Sequence, residues 1–187
     1  MRVISGSARG TKINSIDDIS TRPTLDRVKE SIFNIIRNYI QDDTIVLDLF
    51  AGSGAIGIEF LSRGAAKVVF ADNSPKAKEM ICQNLEKTHL KDKAKVFLGD
   101  YKKVLNKLKE DEEVFDIIYL DPPYKQDIAV DALLKIEELK LIRDDGLIII
   151  ETDESDRETE ELKKSNTKYN IYDIRKYGRA TLIFLKQ

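Results

Sequence analysis

The chain has 187 residues, 42% of them apolar and 34% charged, with a formal net charge of −2. That is one domain's length, too apolar for a disordered chain and not basic enough for bulk binding to nucleic acid. One cysteine (Cys82) and one histidine (His89) exclude an internal disulfide framework and a zinc site built from those ligands.

The first 40 residues hold seven basic residues against four acidic ones, which leaves the remainder acidic. A basic arm on an acidic body hints at an anionic partner. Val3-Ile4 and Lys12-Ile13 flank Ser5-Gly6-Ser7-Ala8-Arg9-Gly10 and predict a short hairpin with a glycine-rich turn. Next, Val28, Ile32, Ile35, Ile36, Tyr39 and Ile40 recur at helical spacing, with Thr24 as the expected cap. From residue 44 strands and helices alternate. Strands are expected at Ile45–Leu49, Lys67–Asp72, Ala94–Leu98 and Phe115–Leu120, with helices near 55–63, 75–88, 101–110 and 127–139. The first strand is almost wholly apolar, as expected of a strand covered on both faces. Ser74-Pro75 places a cap and a first-turn proline at the start of the 75–88 helix. A turn at Asp144-Asp145-Gly146 precedes a fifth strand, Leu147–Glu151, and the acidic run Asp153–Glu161 opens a solvated helix. Tyr169–Arg175 and Ala180–Leu185, joined at Tyr177-Gly178-Arg179, complete the sheet as an antiparallel pair.

Strands separated by helices of this length imply right-handed parallel crossovers. The expected fold is therefore α/β: a doubly wound, Rossmann-like, seven-stranded and mostly parallel sheet with an antiparallel last strand. A small N-terminal hairpin and helix (1–43) precede the main domain (44–187), as one structural unit. No apolar run approaches the roughly 20 residues of a membrane helix, and no apolar signal core opens the chain, so a cytoplasmic location is expected.

Ligands of such sheets bind beyond the carboxyl ends of the strands. Asp48, Asp72, Asp100 and Asp121 all fall there. Asp48-Leu49-Phe50-Ala51-Gly52-Ser53-Gly54 is a β-α turn whose glycines permit a tight bend and close approach of a ligand, and the next helix offers unpaired N–H groups. The spacing is not the dinucleotide fingerprint, and no Lys followed by Ser/Thr marks a nucleotide-triphosphate loop. Asp72, ending the second strand, is placed to hold ribose hydroxyls. The sharpest signal is Asp121-Pro122-Pro123-Tyr124 after a buried strand. The prolines stiffen the turn, Asp121 and the Pro122 carbonyl offer two acceptors, and Tyr124 offers a flat ring. A planar base bearing an exocyclic amine requires that set.

These motifs resemble class I S-adenosylmethionine-dependent methyltransferases that act on exocyclic amines. The block Arg22-Pro23-Thr24-Leu25-Asp26-Arg27-Val28-Lys29-Glu30-Ser31-Ile32-Phe33-Asn34, with Phe50-Ala51-Gly52-Ser53-Gly54 and the opening hairpin, resembles the bacterial 16S ribosomal RNA guanine-N2 methyltransferases called RsmD. The resemblance runs over essentially the whole chain. It implies S-adenosylmethionine as cofactor and direct methylation of a guanine of the guanine(966)-N2 type in 16S rRNA, within the small ribosomal subunit or its assembly intermediate. It places Asp48, Phe50, Gly52 and Gly54 at the cofactor's methionine end, and Asp72 on its ribose. Asn73, Asp100 and Tyr101 go beside the adenine, with Arg22 and Thr24 closing over the whole. Asp121, Pro122, Pro123 and Tyr124 would hold the target base, with no metal and no membrane involved. A monomer or weak dimer is expected.

Arg175, Lys176 and Arg179, around Tyr177, suit phosphate contact and stacking if the sixth strand is parallel, and Arg9 and Lys12 on the hairpin are further RNA-binding candidates. Each set reads equally well as a basic turn. Cys82 reads as a packing residue and His89 as an exposed helix end. Three other functions share parts of the pattern: methylation of adenine-N6 or cytosine-N4 in DNA, methylation of protein glutamine, and a non-catalytic RNA-binding or ribosome-assembly factor. No duplex-reading domain remains for the first, and the second goes with Asn-Pro-Pro-Tyr where this chain has Asp121.

Overall fold

Residues 1–15, 22–123 and 128–187 are described by the computed structural model, residues 22–27 by backbone only. The apolar runs become the strands of one seven-stranded sheet: β1 (Ile45–Leu49), β2 (Lys67–Asp72), β3 (Ala94–Leu98), β4 (Phe115–Leu120), β5 (Ile142–Thr152), β6 (Asn170–Tyr177) and β7 (Ala180–Lys186). Their order is β3-β2-β1-β4-β5-β7-β6. The first five are parallel, and β7 is antiparallel to both its neighbours, which leaves β6 running the same way as β5.

Helices α1 (Arg22–Ile36), α2 (Ala55–Ser62) and α3 (Pro75–Thr88) supply side chains to the core on one face. Helices α4 (Tyr101–Glu110), α5 (Ile128–Leu139) and α6 (Ser155–Lys164) cover the other. Both faces of the central strands are thus shielded from water, which is why they read as continuous apolar runs. Among the described residues no helix is long and apolar enough to cross a membrane. The Ser74 hydroxyl accepts from Ala77 N–H and Pro75 opens α3, as the sequence predicts.

Three local expectations are corrected. Thr24 does not cap α1, because the helix already begins at Arg22 and Pro23 sits in its first turn, where a missing N–H costs nothing. Asp144-Asp145-Gly146 does not precede β5 but lies inside it. Pairing starts early because Ile142 is buried opposite Phe115, whose N–H donates to Leu141 O at 2.9 Å. The partner of Ile117 is then Leu147, so extra β5 residues are expelled as a bulge. The hairpin is only a single Arg2–Lys12 bridge, steadied by three flanking backbone hydrogen bonds of 2.9–3.1 Å. Val3 and Ile13 nevertheless enter the same core as Ile32, Phe33 and Phe60.

Candidate active site

The carboxyl ends of β1, β2 and β4 converge on the loop after β1. Phe50 adopts φ of 69°, a left-handed conformation unfavourable for a side chain of this size. It is held there because the N–H groups of Phe50 and Ala51 both donate to Ala71 O, at 2.9 and 3.0 Å. The strand-to-loop reversal is therefore pinned to β2. The Gly52 N–H donates to Asp72 Oδ2 at 2.9 Å, and Ser74 N–H to Oδ1 at 2.9 Å. Asp72 thus organises the loop with two of its lone pairs and keeps the others for a ligand. Gly52 has φ of 55°, and a Cβ built there would meet nothing within 4 Å. Gly54 differs: its Cβ would fall 3.1 Å from Ile81 and 3.3 Å from Phe70. It lines neither cavity, and its φ of 75° and close packing both call for glycine.

The loop borders two cavities. The larger, of about 800 Å³, is lined by Phe50, Asp72, Asn73, Asp100, Tyr101 and Pro123 among others. Its size suits a ligand of cofactor dimensions. Asp100 caps α4 by accepting from Lys102 N–H at 3.0 Å. The Tyr101 hydroxyl donates to Asp131 at 2.6 Å, and its ring lies 5.5 Å from that of Phe50. Burial and this hydrogen bond push the Tyr101 hydroxyl pKa upward, so it stays protonated. A carboxylate at one end and aromatic faces at the other suit a nucleoside.

The smaller cavity, of about 160 Å³, lies under α1 and is lined by Val28, Lys29 and Ile32 together with Asp48, Tyr119, Asp121 and Glu151. Strand register explains the grouping. Asp48 pairs with Tyr119, Asp121 lies two residues beyond Tyr119, just past the end of β4, and Glu151 lies two beyond Ile149, the partner of Tyr119. All four side chains therefore share the α1 face. Asp48 is almost fully buried and accepts from Gly57 N–H at 2.9 Å; burial raises its pKa to about 7, against that hydrogen bond, with Asp72 adding repulsion. Burial, then Glu151, then Asp48 push the Asp121 carboxyl well above the usual range. Burial likewise raises Glu151, partly offset by the hydrogen bond from the Tyr119 hydroxyl to its Oε2. Asp121 lines both cavities and stands at their junction. Among the described residues no group of His, Cys, Asp and Glu is arranged to hold a metal.

The structure thus brings Asp48, Phe50 and Gly52 together with Asp121, and Asp72, Asn73, Asp100 and Tyr101 into the adjoining cleft. Pro122 is buried and lines neither cavity, while Pro123 is exposed on the cleft. Tyr124 lies outside the described residues, as do the side chains of Arg22 and Thr24. The basic candidates are separated. Arg175, Lys176 and Arg179 are exposed where β6 turns into β7, on the same rim as Asp121 because β6 runs with β5. Arg175 pairs with Asp173 at 2.8 Å. Arg9 sits in the hairpin turn that docks on Ser62, at the end of α2 away from the glycine loop; Lys12 is exposed at the Arg2 bridge. Sequence reasoning missed Tyr119 and Glu151. The one signal available was a carboxylate at the end of an otherwise apolar strand, in the position Asp48 and Asp72 hold on theirs.

The model of the family described as Conserved hypothetical protein 95 matches residues 1–186. A putative rRNA methyltransferase, YlbH, of Bacillus subtilis is 44% identical over 153 residues, covering 82% of this chain and 83% of that protein. Ribosomal RNA small subunit methyltransferase D of Haemophilus influenzae is 33% identical, covering 82% and 79%. Among solved structures, a hypothetical protein of Thermus thermophilus superposes with a TM-score of 0.80 at 26% identity, covering 100% of this chain and 99% of that one. A putative methyltransferase of Escherichia coli gives 0.80 at 25% identity, covering 100% and 97%.

Proposed function

The chain belongs to the Conserved hypothetical protein 95 family, the RsmD-type rRNA methyltransferases, and from that premise we propose that it methylates the N2 amine of a guanine in 16S ribosomal RNA, with S-adenosylmethionine as donor. The observation that carries the reading is the placement of Asp121 at the junction of a cofactor-sized cleft and a second, acidic chamber.

The residues present fit that cofactor. Gly52 leaves open space over its Cα beside the cleft, so a ligand can lie against the backbone. Asp72 has lone pairs left for the ribose hydroxyls. Phe50 and Tyr101 offer ring faces to the adenine, with Asn73 and Asp100 at its edge. Bound there, the cofactor supplies an electrophilic methyl on a sulfonium, a leaving group that needs no metal.

The protein's task is alignment and charge. A guanine amine is a poor nucleophile because its lone pair is delocalised into the ring. Asp121, accepting from one N–H, favours a pyramidal nitrogen with an available lone pair, and as a carboxylate it would take the proton that nitrogen sheds once the new N–C bond replaces the donor's S–C bond. Fixing the line of attack supplies most of the rate. In the free protein burial, then Glu151 and Asp48, push the Asp121 pKa well above the usual carboxylate range, toward the neutral form. A cation bound beside it favours the ionised form, which is the acceptor the amine needs. Asp121 would then be the acceptor that receives the base. The base reaches this depth only when unstacked.

The test is to incubate protein and methyl-labelled cofactor with small ribosomal subunits, free 16S RNA and DNA, all lacking the modification, and to map the product. Label at a guanine N2 of 16S RNA, abolished by Asp121→Ala with cofactor binding retained, is expected. Label only in DNA, or an Asp121→Ala variant as fast as the parent, overturns the reading.

A further inference from the structure

Glu151 lies outside every motif that led to the cofactor, yet the residue is only 9% exposed and lines the small chamber. The Tyr119 hydroxyl donates to Oε2, and none of the described residues donates to Oε1 of this chamber-lining residue. Asp121 receives no side-chain hydrogen bond from them either. A buried carboxylate in this state carries most of its desolvation cost with little return, and replacing such a group by a neutral one is generally harmless to stability. Three carboxyls, Asp48, Asp121 and Glu151, interact within a wall that is otherwise mostly apolar. The lysine that lines the same chamber, Lys29, is spent elsewhere, donating to Arg2 O at 2.6 Å and pairing with Glu59 at 3.1 Å. Among the described residues none donates a cationic hydrogen bond to these carboxyls, so the chamber can take a cation from a ligand.

Resting on the cofactor reading above, we propose that Glu151 is a cofactor-binding residue that takes the α-ammonium of the donor's amino-acid end, with Tyr119 as the residue that orients it. Geometry selects this group over the others the cofactor carries. The cleft holding Asp72 and Tyr101 takes the adenosine, and Asp121 marks the junction where the sulfur must sit. Continuing past that junction leads into the chamber, whose volume of about 160 Å³ admits the end of a ligand but not a nucleoside. An ammonium finds an acceptor there: with Asp48 engaged by Gly57 N–H and Asp121 assigned to the target amine, Glu151 is the chamber carboxyl left to receive it. Tyr119 uses the proton of its hydroxyl on Oε2, which fixes the carboxylate plane and leaves Oε1 for the ligand. Its own proton is secure, because burial and the neighbouring carboxyls hold the phenol far above its ordinary pKa.

The experiment measures binding of two ligands by calorimetry: S-adenosylhomocysteine, which carries the ammonium, and 5′-methylthioadenosine, which keeps the adenosine and thioether but lacks the amino-acid end. Glu151→Gln keeps the shape of the side chain and removes its charge. It is expected to weaken S-adenosylhomocysteine roughly 10-fold or more, the worth of a charge-assisted hydrogen bond, and to leave 5′-methylthioadenosine within about twofold. Tyr119→Phe, which frees the carboxylate without removing it, is expected to give a smaller loss for the same ligand alone. A melting temperature for Glu151→Gln at or above the parent's is expected too, since a buried repulsion is removed. Equal weakening of both ligands means a merely structural role and overturns the proposal. So does unchanged S-adenosylhomocysteine affinity accompanied by slower RNA methylation, which would assign Glu151 to the target base. Failure of the parent protein to bind either ligand would instead strike the cofactor reading itself.

Discussion

Asp48 is the residue whose chemistry is most directly testable without any substrate. Its carboxyl titrates near 7 in the folded protein against an ordinary 3.8, chiefly because it is buried. The folded state then keeps a proton that the unfolded chain loses. Stability therefore falls as pH rises from about 3.8 to about 7 and is flat above, with a ceiling of about 4 kcal/mol for this one group. Asp48→Asn cannot ionise but can still accept from Gly57 N–H. Urea denaturation should find the variant more stable than the parent by about 2–4 kcal/mol at pH 7.5 and by much less at pH 4. An equal difference at both pH values would mean that Asp48 does not carry this burden. The cost is tolerated where a cation is to be bound, a common trade at functional sites. Phe50 makes a parallel case, since its left-handed backbone stores about 1–2 kcal/mol. That strain was invisible in the sequence, where Phe50 read only as one position of a motif.

At the scale of elements, the loop after β1 is set by partners far along the chain. Asn84, fully buried on α3, accepts from Asn14 N–H at 2.7 Å and donates to Asn14 O at 3.0 Å and to Ser53 O at 2.9 Å. It fastens the N-terminal segment and the glycine loop to one helix. Asn84→Ala leaves three half-buried backbone groups without this partner and should cost about 3 kcal/mol in urea denaturation. A loss under about 1 kcal/mol would show that water replaces the amide. Most elements were legible in the sequence because alternation between apolar strand runs and helical spacing is a local signal: β2, β3, β4, α3 and α4 fall at their expected bounds. What was not legible depended on contacts across the sheet. The early start of β5 follows from Ile142 facing Phe115, and local reading saw only the turn-forming Asp-Asp-Gly. Glu151 joins the site through register with Tyr119, and Tyr119 itself read as one more apolar position in a strand. Asp72 and Asp121 were legible because each ends its strand at a turn, where a carboxylate has no packing role.

Across the whole molecule, an acidic protein must hold a polyanion, and the sheet decides where. With a net charge of −2 the surface offers no general attraction, so RNA contact has to be local. The β6–β7 turn is the basic feature that topology delivers to the rim of Asp121, because β6 runs parallel to β5 although it is reached through the antiparallel β7. Within it Arg175 is partly satisfied by Asp173, which makes Lys176 and Arg179 the stronger candidates for phosphate contact. The hairpin turn carrying Arg9 docks on the opposite end of α2 and would meet a different stretch of the RNA. Replacing both Lys176 and Arg179 by Ala should therefore lower affinity for a 16S RNA fragment and flatten its dependence on salt. The slope of log affinity against log salt should shrink by about 1.5, the release expected for two single-strand phosphate contacts. S-adenosylhomocysteine binding should be unchanged, since neither side chain lines the cleft or the chamber. Replacing Arg9 and Lys12 should leave methylation of a short target loop intact while weakening binding of the larger RNA. An unaltered salt slope in the Lys176 and Arg179 variant would remove that turn from the RNA surface and shift the contact to the N-terminal arm.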